Sequence, residues 1–173
     1  AMRPPARRPR QTAPRSFAGR PEIELIIEGL GSGGDGVATV DGARIHVPFA
    51  APGDRIRARL PAPDDRSGKA DFIELVAAGP NRAEPPCPHF GPCGGCRLQH
   101  VAGPAYRAWK RELLVRAFAH HGIETAVGEA IVSPPQSRRR AVFAARRGGK
   151  RVFLGFNEQR STRIVDLATC LVI

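Results

Sequence analysis

Three of the chain's four cysteines, Cys87, Cys93 and Cys96, fall in the ten residues CPHFGPCGGC, and the fourth, Cys170, lies far downstream. Whatever these thiols share must tie the end of the chain back to its middle. Five residues separate Cys87 from Cys93, and two, both glycine, separate Cys93 from Cys96. Gly94 and Gly95 take side chains away where backbone wraps a bulky core, and their N–H groups can point at sulfur. Pro88 and Pro92 stiffen the approach. Three local thiolates plus one remote suit a four-sulfur metal site. Tetrahedral zinc is one occupant, although zinc loops usually keep two to four residues between local ligands. An iron–sulfur cluster, held by four cysteines at varied spacing, is the other. Disulfides or free thiols fit less well, because clustered cysteines beside glycine, after a start with no apolar core, suggest a reducing compartment. Spacing alone leaves cluster and zinc both open.

The charge points to a polyanion. The 173 residues carry 27 Lys and Arg against 16 Asp and Glu, a net +11. Six of the arginines (Arg3, Arg7, Arg8, Arg10, Arg15, Arg20) stand in residues 1–20 with no acid, which leaves +5 for the remainder. That Pro-, Arg- and Ala-rich stretch cannot bury enough apolar surface to order itself, so a disordered basic arm is expected over 1–20. Nucleic acid is the commonest partner of such a balance. No apolar run approaches the ~20 residues of a membrane-spanning helix. A cytoplasmic, monomeric protein is expected.

From Pro21 the pattern is that of strands. EIELIIEGL places Ile23, Leu25 and Ile27 on one side. VATV and ARIHVPF flank Asp41-Gly42, which supplies the positive φ angles of a two-residue hairpin turn. PGDRIRARL alternates Ile56, Ala58 and Leu60 with arginines, and KADFIELVAA follows. Five short strands at this spacing predict a five-stranded OB-type barrel over 21–79. Such barrels commonly bind single-stranded nucleic acid. Another small barrel or sandwich also fits the pattern.

Residues 79–86 read as a linker into a second domain spanning 80–173. Gly103-Pro104 opens a helix, with Pro where its missing N–H costs nothing, and Gly122 ends it. Tyr106, Trp109, Leu113 and Ala117 recur at helical spacing as a core face, and His120 and His121 sit at the C-terminal end without suggesting ligands. Strands 138–146 and 151–156 are expected around Gly148-Gly149. The chain stops just past Cys170 inside an apolar run, which reads as truncation. The overall expectation is mainly β with α: the barrel, then a small α+β domain.

Gly31, Gly33 and Gly36 satisfy G-x-G-x-x-G. The phosphate-binding form needs a helix next, and VATVDG alternates like a strand instead, so the glycines are read as a loop.

CPHFGPCGGCRLQH resembles the iron–sulfur motif of the bacterial RNA 5-methyluridine methyltransferases, which modify uridines of 23S ribosomal RNA. GLGSGGDGVATVDGARIHVPFAAPGD is similar to that family's TRAM domain, a small RNA-binding barrel. SRRRAVFAARRGGKRVFLGFNEQRSTRIVDLATC is similar to its central domain. The resemblance runs from Pro21 to the end. It implies that Cys87, Cys93, Cys96 and Cys170 hold a [4Fe-4S] cluster with a structural role. It also implies a further domain that binds S-adenosylmethionine and supplies a nucleophilic cysteine and a carboxylate base. The nucleophile attacks C6 of a uracil taken out of its stack, C5 takes the methyl group, and the base removes the C5 proton. No such domain is in this sequence, and four cysteines for four cluster positions leave no nucleophile. No catalytic residue and no S-adenosylmethionine site is therefore expected here. The expected partner is RNA. Candidate contacts are Arg44, His46, Phe49, Arg55 and Arg57 on the barrel, Arg97, Gln99 and His100 beside the cysteines, and the run Arg138, Arg139, Arg140. Gln99 and His100 could instead brace the loop. The competing readings are a free-standing RNA-binding module with a four-cysteine cluster or zinc, and a radical-chemistry iron–sulfur enzyme. Cys170 as a fourth ligand argues against the last, whose clusters keep one iron open.

Overall fold

Alternation of apolar residues builds the first half of the chain. In the computed structural model, which describes residues 20–62, 65 and 67–173, the strands are β1 (Glu22–Ile26), β2 (Gly29–Leu30), β3 (Gly36–Val40), β4 (Ala43–Val47), β5 (Arg55–Arg59) and β6 (Asp71–Ala77). Leu25 and Ile27 from the first run, Ile45 and Val47 from β4, and Ile56 and Ala58 from β5 meet in one core with Ala38, Ala50 and Ala70. Ile26, between two inward residues, is 65% exposed, as a period of two requires. Asp41 and Gly42 have φ of 50° and 77°, the hairpin turn that their sequence predicts. The basic arm lies outside the described residues except for Arg20. That residue is fastened: it donates to the Leu60 carbonyl at 3.0 Å and pairs with Asp71 at 2.6 Å.

The strands pair as two three-stranded sheets, β1-β5-β6 and β2-β3-β4. Backbone bonds cross both seams. At one, Ile27 N donates to Asp54 O (2.9 Å) and Glu28 N to Val37 O (2.8 Å), so a single bent segment serves both sheets. At the other, His46 bridges Lys69 in parallel: His46 N donates to Gly68 O (2.8 Å) and Ala70 N to His46 O (2.9 Å). Register shifts in the β5–β6 pair let that ladder curve.

The expected linker is packed down. Asp54, fully buried, accepts from Ala51 N (2.7 Å), Gly79 N (2.9 Å) and the Arg82 guanidinium (2.5 Å). Arg82 in turn bridges Val101, Ala83 N donates to His100 O, and Ala102 N to Asn81 O, so residues 81–83 and 100–102 close the neck of the cysteine loop. The glycine loop ahead of β3 is a seat and not a phosphate cradle. Leu98 lies against Gly34, and Trp109 Nε1 donates to the Gly31 carbonyl at 3.1 Å.

Helix α1 spans Gly103–His120 with Pro in its first turn. No residue in it is buried, so the expected core face is only half covered, with Tyr106, Trp109 and Leu113 at intermediate exposure and Ala117 exposed. The second hairpin is β7 (Ala144–Gly148) and β8 (Arg151–Gly155). It is shorter than the expected 138–146 strand. Gln136 N and Arg138 N donate to the carbonyls of Leu171 and Val172 instead, so this stretch pairs with the chain's last residues. The tail then runs along β8, with Val165 N donating to Phe156 O (2.9 Å) and Leu167 N to Leu154 O (3.0 Å). Among the described residues the fold is eight strands in three sheets plus one helix, mainly β with α, and no helix is long and apolar enough to cross a membrane.

The cysteine loop is gripped by the hairpin as well. Gly94 N donates to Asn157 O (2.9 Å), and Gln159 N donates to Pro92 O (3.3 Å). A Cβ on Gly94 would stand 2.7 Å from the Asn157 oxygen.

Two substitutions test these joints by urea unfolding. Asp54→Ala takes the carboxylate from the partly buried Arg82 guanidinium and strands two N–H donors, and is expected to cost about 2–4 kcal/mol; a loss below about 1 kcal/mol contradicts the clamp. Gly94→Ala is expected to cost about 1–3 kcal/mol and to speed amide exchange at Gln159. Gly33→Ala, with nothing within 4 Å of its added carbon, is expected to stay within about 0.5 kcal/mol.

Candidate metal centre

All four cysteines line one small cavity. Cys87, Cys93 and Cys96 reach it from the loop, and Cys170 from the tail that follows β8. None is in a disulfide. Each of the two glycines between Cys93 and Cys96 is a point of close approach. Gly94 meets the Asn157 backbone, and a Cβ on Gly95 would stand 2.7 Å from the Phe156 ring, which also lines the cavity. Phe156 is held from behind by Phe143, ring centroids 5.0 Å apart.

The cavity wall carries Phe90, Phe156, Leu167 and Leu171, and no Lys, Arg, Asp or Glu. Burial pushes the Cys96 thiol above its usual range. The neighbouring Cys170, Cys87 and Cys93 push the same way, against a hydrogen bond from Gln99. These four groups feel one another's charge, so an ionised set needs a cation among them. The Gly95 N–H donates to Cys93 Sγ at 3.4 Å. Gln99 Oε1 accepts from Cys87 N at 3.2 Å, so this side chain engages two of the cysteines. The cavity is tight, about 10 Å³, enough for about one water, and a larger core seats only if the cysteine side chains turn outward. Among the described residues no three His, Cys, Asp or Glu side chains are gathered closely enough to hold a single metal ion. The donor set and the glycine cradle fit a four-thiolate centre.

The other candidates scatter. Arg44 and Arg55 are exposed on β4 and β5. Arg57 pairs with Glu74 at 2.9 Å, both about half exposed. His46 is half-buried, its ring against Gly31. Phe49, at φ 63°, packs edge-on to Phe90 (5.6 Å). Arg97 pairs with Asp35 at 3.0 Å, and Lys69 reaches the same carboxylate at 3.1 Å. Arg138, Arg139 and Arg140 are exposed in an irregular segment, so strand alternation does not govern which of them face outward. His100 is 1% exposed and lies between Phe49 and Phe90. Burial, then Arg82, lowers its pKa, against Asp54 and an Ala50 carbonyl that stays outside hydrogen-bond geometry. His100 and Gln99 thus brace the loop. Asp54, Arg82 and Asp35, which fasten that loop to the sheets, are missing from the sequence reading. Asp35 and Asp54 each follow a glycine, and nothing local singles out Arg82.

A polar cleft of about 480 Å³ lies where the first sheets, the cysteine loop and the hairpin meet, lined among others by Phe49, Lys69, Arg97, Phe156 and Arg160.

No protein-family profile matches the chain. Curated relatives do. An uncharacterized RNA methyltransferase of Brucella suis is 44% identical over 149 residues, covering 86% of this chain and 35% of the relative. The 23S rRNA (uracil(1939)-C(5))-methyltransferase of Halomonas elongata is 39% identical over 171 residues, covering 96% of this chain and 35% of that protein. Among solved structures, the tRNA (uracil-54, C5)-methyltransferase of Pyrococcus abyssi, in complex with S-adenosyl-L-homocysteine, aligns with a TM-score of 0.54 at 27% identity, over 86% of this chain and 32% of the other. Over most of its own length, then, the chain is homologous to RNA methyltransferases, and it spans about a third of the length of each.

Proposed function

We propose that this chain is the RNA-holding part of an S-adenosylmethionine-dependent RNA (uracil-C5) methyltransferase, built around a [4Fe-4S] cluster on Cys87, Cys93, Cys96 and Cys170. The observation that carries this is the convergence of all four cysteines on one cavity, in a chain whose relatives are named RNA methyltransferases. We read 1–20 as a basic arm, 21–79 as an OB-type TRAM barrel closed through its two seams, and 80–173 as the cluster and central domain. The five-residue gap between Cys87 and Cys93, wide for a zinc loop, favours the cluster over zinc. When bound, the cluster supplies a rigid cross-link between loop and tail, and methyl transfer to uracil needs no electron from it. The four cysteines are all engaged in the cavity, so the nucleophile and the S-adenosylmethionine site belong to the part of the relatives that this chain does not span. Large ribosomal RNA is the preferred substrate, by analogy with the Halomonas relative. The protein acts as a monomer in the cytoplasm, where thiols stay reduced.

RNA contact falls to exposed cations: Arg44 and Arg55 on the barrel, Arg138, Arg139 and Arg140 before the hairpin, and Arg57 and Arg97 by exchanging their carboxylate partners for phosphate. His46 and Phe49 contribute from the barrel edge.

Binding of the anaerobically prepared chain to a 23S rRNA transcript, across a salt series, tests the reading. Affinity is expected to fall steeply with salt, and replacing Arg138, Arg139 and Arg140 together by Ala is expected to lower the log–log slope by about 1–2. Salt-independent binding, or none, contradicts it. Cys93→Ala is expected to expose residues 87–100 and the hairpin to limited proteolysis while β1–β6 stay folded by circular dichroism; global unfolding contradicts a local cross-link.

A further inference from the structure

Among the residues lining the cysteine cavity, His89 is the one ionisable side chain besides the thiols. Its backbone is fixed by the turn in which Cys93 N donates to His89 O at 3.0 Å. Its Nε2 is buried and has no hydrogen-bond partner. A buried polar atom left unpaired is costly, and native proteins rarely keep one without a use. The neighbouring wall offers mostly rings and aliphatic groups: Phe90, Phe156, Leu167 and Leu171. Besides Gln99 and Thr169, the acceptors in the wall are the cysteine sulfurs, and one donor is already turned on them, the Gly95 N–H on Cys93 Sγ at 3.4 Å. His89 lines the same cavity. His100, buried with both ring nitrogens unpartnered, does not line this cavity and packs in the joint with Phe49 and Phe90.

We propose that the Nε2–H of His89 donates a hydrogen bond to a sulfur of the centre held by Cys87, Cys93, Cys96 and Cys170, and so sets that centre's reduction potential and its resistance to oxygen. This rests on the iron–sulfur reading above. A donor on sulfur draws electron density from the core and stabilises its more negative, reduced form, so its loss lowers the potential. The imidazole is a positioning group, not a ligand.

The test uses the whole chain, prepared without oxygen, as wild type, His89→Leu and His89→Gln. Iron and acid-labile sulfide are measured on the wild type first. Zinc in place of iron there overturns the cluster reading, and this proposal with it. Given iron and sulfide, protein-film voltammetry is expected to show a lower potential for His89→Leu than for wild type. His89→Gln, which keeps an N–H donor, is expected to lie between them. In air, His89→Leu is expected to lose its visible absorption several-fold faster. Pulsed electron paramagnetic resonance of the dithionite-reduced wild type, labelled with ¹⁵N-histidine, is expected to show a weak nitrogen coupling that disappears in His89→Gln. Equal potentials in all three proteins, or a wild type without that coupling, overturn the proposal. If His89→Leu fails to assemble, the wild-type coupling and the Gln variant decide it.

Discussion

Four thiols facing one apolar cavity set the terms for the rest of this molecule. They come from two remote stretches of chain, and no charged side chain shares the wall with them. As bare thiolates they repel. Burial and mutual repulsion both hold the Cys96 proton on. The shared inorganic centre proposed above would turn this set into a cross-link that closes a long loop of chain.

The protein around the cavity holds the cysteine loop from three sides. Asp54 and Arg82 clamp its neck to the first two sheets, and Asp35 ties down Arg97 just past Cys96. Gly94 and Gly95 let the β7–β8 hairpin approach within contact of the loop backbone, and β8 then guides the tail that bears Cys170. Each grip is local and modest. Together they place sheets, loop and hairpin around one polar cleft, next to cations that can meet a phosphate backbone.

Much of this was legible in the residues. The period of two in EIELIIEGL and RIRARL gave strands with the right inward side, Asp41-Gly42 gave the turn, and Gly103-Pro104 and Gly122 bracketed the helix. The four cysteines that line the cavity were named by spacing and by resemblance. What stayed hidden depends on long-range partners. The expected strand at Arg138 is diverted because Gln136 and Arg138 bond to Leu171 and Val172. The expected linker is structured because Asp54 waits in a buried turn for Arg82. The loop in which Gly31, Gly33 and Gly36 matched a phosphate motif instead seats Trp109 at Gly31 and Leu98 at Gly34, which no local pattern announces. His100 had the chemistry of an RNA contact and is enclosed by two phenylalanines.

The most direct measurement is Mössbauer spectroscopy with iron and sulfide analysis on ⁵⁷Fe-grown protein purified without oxygen, compared with Cys170→Ala. About four iron and four sulfide per chain, with the spectrum of an oxidised cubane, are predicted for the wild type, and an incomplete or rapidly lost cluster for the variant. One zinc and no sulfide, or a cluster equally stable without the Cys170 sulfur, would contradict the account.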